Sequence, residues 1–310
     1  MTIRTLTPEL QTVANHELNE DVNRVHSDLE HMKQWIQKHP YLNLGIDEQL
    51  LVNFLRGCKW SLQRTKEKIN SFFKIRAILP EYFQNRDPFL PEIQILLDKG
   101  AFLPLPKTLN DVGPRICFLK SSNLTGHDNM HVFCKLYFMI LDILLNEDDN
   151  FVVSGMILLI DYGNIPLKIV TQLTPGLSKK YLLIFEKAYP LRIKNFIGMN
   201  TTAVVELLYN GFAKALFSEK LRHRLLLVSS NNINLVYNKV DKSLFPVEYG
   251  GNNGSIEELT REWKRKIENH RNWFLEDSRK LSTEKMCFDK LKTYSEVFGM
   301  EGSFRKLVID

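Results

Sequence analysis

No segment of this 310-residue chain is apolar over the roughly 20 residues a membrane-spanning helix requires. Asp142 interrupts the run over 136–145 and Asp161 ends the run over 156–160. The opening MTIRTLTPEL lacks the apolar stretch of a secretory signal. Cysteine is sparse: Cys58, Cys117, Cys134 and Cys287 are scattered, with no CxxC pair and no disulfide-like spacing, so a reduced cytoplasmic protein is expected. GxSxG and HExxH are absent, and GGNNG (250–254) lacks the lysine and strand–turn–helix context of a phosphate loop. His127 and His131 stand four apart but bring no third ligand, so no metal is expected. A net charge of +5 is too mild for a nucleic-acid binder. No internal repeat or low-complexity tract occurs, and no catalytic constellation is present.

What is present is ordinary in bulk, with 44% hydrophobic and 25% charged residues, and unusual in one place. In AVVELLYNGFAKALF (203–217) the strongly polar side chains are Glu206, Asn210 and Lys214. Recurring every fourth position, they make one narrow stripe on a helix that is otherwise apolar. Two readings fit: a helix buried in a large core, or one facing an apolar cavity on one side and a membrane surface on the other. Arg192 and Lys194 precede it, and Lys220, Arg222 and Arg224 follow.

Helical spacing of apolar residues runs from Leu10 through Trp35 and Ile36, predicting one helix over 8–39 that Pro40 and Gly45 stop. A second helix is expected from about Asp47 through Leu55, and a third, capped by Ser61, ends before Pro80. Residues 1–98 form an all-helical block with Pro88 and Pro91 at its edge. After Gly100 the pattern alternates: strands at AFLPLP and RICFLK (115–120), a helix over 129–146, a strand over 154–161, and a Thr174-capped helix over 175–188. A strand over 192–199, the apolar helix and a strand over 224–229 complete a mostly parallel, helix-flanked sheet. Ser255 and Glu258 form a capping box opening a last helix that carries Trp263, Ile267 and Trp273. Asp161 reads as a helix cap or ion-pair partner, and Glu147-Asp148-Asp149 as a solvated helix end.

Five segments in order resemble the CRAL-TRIO lipid-binding family. They are LLVNFLRGCKW (50–60), GAFLPLPKTLNDVGPRICFL (100–119), QLTPGLSKKYLLIFEKAYPLRIKNFIGMN (172–200), SEKLRHR (218–224) and LFPVEYGGNNGSIEELTREW (244–263). Within it the chain is most similar to the branch of alpha-tocopherol transfer protein, cellular retinaldehyde-binding protein and the clavesins. The resemblance implies an α/β fold with an N-terminal helical domain (1–98), a lipid-binding domain (99–254) closed by a lid helix at about 201–217, and a C-terminal helical tail (255–310). It also implies a non-enzymatic carrier, monomeric and without cofactor. Such a carrier would hold one small hydrophobic lipid and exchange it at anionic membranes, phosphoinositides among them.

By motif position, the implied pocket residues are Phe133, Leu136, Tyr137, Ile140, Met156, Leu158, Ile160, Ile184, Phe185, Tyr189, Leu191, Phe196, Val204, Val205 and Leu208. Relatives that bind phosphoinositides do so with basic residues matching Arg192, Lys194, Lys220 and Arg224. Departures bear on the details. The family's RAR is Arg56, Gly57, Cys58 here, with Lys59 one position later, which argues against a basic contact from that helix. DLEG is DYGN (161–164), and FAKAL (212–216) replaces the FKPFL of phosphatidylinositol transferases. Leu136 and Ile140 stand where the tocopherol binder has small hydroxyl residues, removing a polar anchor. Retinoid, carotenoid, tocopherol, sterol and phospholipid all remain open as cargo. Two alternatives stay beside the carrier: a phospholipid exchange factor or sensor, and a module that docks protein partners through its apolar lid.

Overall fold

The computed structural model describes residues 3–39, 42 and 46–284, with side chains described through 280. The continuous helix expected over 8–39 is two helices, α1 (Pro8–Leu18) and α2 (Val25–Gln37). Asn19 takes left-handed geometry (φ 60°), which asparagine tolerates, and Glu20 turns inward to pair with buried Arg56. Pro40 and Gly45 lie outside the described residues. Asp47 and Ser61 cap α3 (Glu48–Gly57) and α4 (Leu62–Ile78), as expected from their residue types. α5 (Pro80–Phe83) follows, and Pro91 opens α6 (Pro91–Lys99) at a position where its missing N–H costs nothing.

Five strands form one sheet in the order β1-β2-β3-β4-β5: β1 (Phe102–Pro104), β2 (Arg115–Lys120), β3 (Met156–Asp161), β4 (Ile193–Met199) and β5 (Leu225–Val228). β1 runs antiparallel to β2, and the remaining pairs are parallel. Between β2 and β3 lie α7 (Met130–Glu147), capped by Asn129, and the short α8 (Asp149–Val153). α9 (Leu167–Gln172) and α10 (Pro175–Leu183) precede β4, α10 ending in a π turn over Ile184–Ala188.

β3 is buried along its whole length, and its period-2 alternation feeds two layers. Met156, Leu158 and Ile160 join α7 and the N-terminal helices in one core. Ile157 and Leu159 join Val228, Phe245 and Leu259 in a second. The segment after β4 runs as α11 (Ala203–Leu208), a π turn (Tyr209–Ala213) and α12 (Lys214–Leu216), then α13 (Glu219–Arg222) before β5. α14 (Asn234–Tyr237) leads to α15 (Ile256–Asn269), opened by the expected Ser255–Glu258 capping box. The chain then turns at His270, whose ring nitrogens meet the Lys266 carbonyl (2.7 Å) and Glu147 (2.6 Å). Trp273 therefore belongs to a separate α16 (Arg271–Glu284), a break that apolar spacing does not record. The remainder of the expected tail, Cys287 included, lies outside the described residues; Cys58, Cys117 and Cys134 are buried free thiols.

Candidate functional site: a lid-covered cavity beside a cationic cleft

Residues 203–216 lie over the β4–β5 end of the sheet. Their inner face, Val205, Leu208, Tyr209, Phe212 and Ala213, closes a cavity of about 110 Å3. Phe196, Leu225 and Leu227 floor it, and Tyr162, Ile165 and Leu173 wall it. Phe217 stacks near Phe196 at 5.7 Å. The Glu206, Asn210, Lys214 stripe is exposed, and so are the apolar Val204 (41%) and Leu207 (72%). The lid is thus apolar toward the cavity and partly apolar toward the outside. Its hydrogen-bond ladder is interrupted at the π turn containing exposed Gly211, an irregularity frequent at functional sites.

Of the implied pocket residues, Phe196, Val205 and Leu208 border this cavity. Val204 needs correction: one residue from Val205 is about 100° around a helix, which turns it outward. Phe133, Leu136, Tyr137, Ile140, Met156, Leu158, Ile160, Ile184, Phe185 and Tyr189 are packed in the main core. Phe185 also reaches the neighbouring cleft, together with Leu191. Leu136 and Ile140, the two positions without a polar anchor, are buried at 4% and 2% exposure.

That cleft, about 220 Å3, gathers Arg192 from the start of β4, Lys220 from α13 and Arg224 from just before β5. Parallel pairing of β4 with β5 brings these distant positions to one rim. Arg192 donates to Glu17 at 3.1 Å and to the Val153 carbonyl, while its buried Nε has no partner among the described residues. Arg224 donates to the Ile193 carbonyl. Burial lowers the Lys220 pKa, and the like charges of Arg224, Lys59 and Arg192 lower it further. Burial also lowers Arg192. Lys194 stands apart from the cleft lining, its ammonium held by Glu17 at 2.6 Å.

Two further cations stand near the cleft: Lys59, which motif position sets aside, and Lys68, which sequence reasoning misses. Lys59, in left-handed geometry (φ 53°) after α3, is among the like charges that lower Lys220, although it does not line the cleft. Lys68, lowered by burial, donates to the Glu186 carbonyl at 2.7 Å.

Other expectations resolve structurally. Among the described residues Asp161 neither caps a helix nor pairs with a cation; it accepts from Gly163 N (2.9 Å), Asn200 (2.8 Å) and Tyr249 (2.5 Å). The acidic run is not simply solvated: Glu147 meets Lys266 at 2.9 Å, Asp148 meets Arg115 at 2.5 Å, and Asp149 meets Arg4 at 2.9 Å. His131 sits 3.0 Å from the Tyr82 hydroxyl. Asp142, which only interrupted an apolar run in sequence, is buried against Arg76, Arg86 and Tyr189. No group of three metal-ligating side chains is found among the described residues, nor any helix long and apolar enough to cross a membrane.

Comparison with known proteins adds to this geometry. Residues 21–93 match the family model of a Pinta-like UBA domain and residues 105–251 that of the CRAL/TRIO domain. The alpha-tocopherol transfer protein-like protein of Mus musculus is 26% identical over 267 residues, 83% of this chain and 74% of that one. Clavesin-1 of Xenopus laevis is 25% identical over 248 residues, 79% of this chain and 74% of that one. The crystal structure of Sfh5 aligns with TM-score 0.46 and 11% identity, over 83% of this chain and 92% of that chain. The lid, its cavity and its cleft all fall within the 105–251 segment that matches the CRAL/TRIO domain.

Proposed function

We propose that this protein is a non-enzymatic carrier in the cytoplasm. It holds one small hydrophobic molecule of retinoid, carotenoid or tocopherol type beneath the 201–217 lid and exchanges it at membranes bearing phosphoinositides. The observation that carries the reading is the shared lid: its inner face closes the cavity, and Ser218 and Lys220, directly beyond its end, line the cationic cleft. A relative named for tocopherol transfer supports the same reading. A guest burying about 500 Å2 of apolar surface would gain about 12 kcal/mol over water. Over a bilayer the gain is near zero, because lipid tails are as apolar as the cavity. The carrier therefore acts by removing the aqueous barrier, and the cleft decides where it does so.

The test is mass spectrometry of lipid extracted from the purified protein, followed by transfer of that lipid between vesicles with and without phosphoinositide. One bound terpenoid-like molecule, delivered faster to phosphoinositide vesicles, is expected. A phospholipid instead would make the protein an exchange factor or sensor. No extractable lipid, with a tightly held protein partner, would make the lid a docking surface and refute the carrier.

A further inference from the structure

Among the cleft cations sits one acid. Glu186, in the π turn that ends α10, lines the cleft beside Arg192, Lys220 and Arg224. Its carboxylate accepts from the Ser218 hydroxyl at 2.7 Å. Ser218 follows the lid directly and caps α13, accepting from Leu221 N at 3.3 Å. One hydrogen bond thus joins the turn below the lid to the lid's C-terminal end. The cleft is short of counter-charge: Arg192 meets Glu17 outside the lining at 3.1 Å, but its buried Nε has no partner among the described residues, and Lys220 feels three cations against this single acid.

We propose that Glu186 is an internal stand-in for a headgroup phosphate: it sets one negative charge among the cleft cations while latching the lid through Ser218, and a phosphate monoester headgroup displaces it and frees the lid. This rests on the reading that the cleft takes a membrane lipid's phosphate, and adds the residue that selects among headgroups and couples the choice to the lid. A phosphodiester headgroup carries one charge, so exchanging it for one carboxylate leaves the cleft no better neutralised. A phosphate monoester carries about −1.5 to −2 and more than replaces it.

The experiment measures full-length protein binding to phosphatidylcholine vesicles doped with phosphatidylserine or, at matched surface charge, with a bisphosphorylated phosphatidylinositol. Glu186→Gln keeps an oxygen for Ser218 and removes the charge, whereas Glu186→Ala removes both. The wild type should prefer the bisphosphate vesicles. E186Q should bind phosphatidylserine vesicles about tenfold more tightly, the effect of removing one nearby like charge, and so narrow the preference. E186A should in addition raise amide hydrogen exchange over 209–217. E186Q with both affinities unchanged overturns the stand-in, and E186A with wild-type exchange overturns the latch. Wild-type protein that binds neither doped vesicle better than plain phosphatidylcholine refutes the cleft reading itself, and this proposal with it.

Discussion

Replacing Lys220 and Arg224 together by alanine removes two of the three cations lining the cleft. Among the described residues neither forms an ion pair that anchors the fold: Lys220 is set among more cations than acids, and Arg224 donates to the Ile193 carbonyl. A cation facing an anionic leaflet contributes about 1 kcal/mol. The double variant should therefore lose about 2 kcal/mol, or about 30-fold in affinity for phosphoinositide vesicles by co-sedimentation. The gap should close with salt, since the screening length falls from about 10 Å at 0.1 M to about 3 Å at 1 M. Lys194→Ala is the internal control, because its ammonium is already committed to Glu17 outside the cleft. A loss below about threefold is expected for it, in keeping with exposed ion pairs generally. If K194A weakened binding as much as the double variant, general surface charge rather than the cleft would be responsible. Thermal unfolding of both variants should match wild type, separating docking from folding.

Asp142→Asn should cost about 3 kcal/mol in denaturant unfolding, the low end for breaking a buried ion pair, because it leaves the buried Arg76 and Arg86 to share Asp277; a loss under about 1 kcal/mol refutes this. Burial alone would raise the Asp142 carboxyl, but the two arginines outweigh it and hold the pKa below the ordinary value. Its stabilisation is therefore full at neutral pH and fades as pH falls through that lowered pKa, so the wild-type and D142N stability curves should converge in acid. At Gly57 a Cβ would run into the Pro190 carbonyl and ring, so Gly57→Ala should destabilise by about 1–3 kcal/mol in the same measurement, and an unchanged midpoint would show that α3 does not lean on Pro190. Leu207→Ser alters an outward lid residue that is 72% exposed, so stability should stay within about 0.5 kcal/mol while vesicle binding falls; the reverse pattern would place Leu207 inside.

Strands and capped helices were legible because their signals are local. β3 is a run of apolar residues between turns, and Ser61, Thr174 and Ser255 all cap where their residue types predict. The breaks at Asn19 and His270 were not legible, because apolar spacing continues across both and the deciding contacts, Glu20 with Arg56 and His270 with Glu147, are tertiary. The same holds at the site. Arg192, Lys220 and Arg224 were identifiable by motif position, whereas Lys59, Lys68 and Glu186 join them only through packing of α3, α4 and the π turn. Val204 was misplaced because motif position carries no rotational phase, while the exposed stripe at Glu206, Asn210 and Lys214 does.

The cavity's size determines how such a carrier must work. Pockets that bury a drug-sized ligand run to about 300–1,000 Å3, and the space beneath the closed lid is about 110 Å3. The missing volume has to come from displacing Val205, Leu208, Tyr209 and Phe212 away from Phe196, Leu225 and Leu227. In water that displacement exposes two apolar faces at about 25 cal/mol per Å2, which holds the lid shut. Against a bilayer the inner face of the lid meets acyl chains instead, while Leu207 and Val204 already present apolar surface outward, so most of that cost disappears. The membrane thereby lowers the barrier that water imposes, and a guest that enters restores on closing the burial the sheet floor had lost. In the proposed carrier, opening then draws on the change of solvent together with release of the Glu186–Ser218 bond at the cleft.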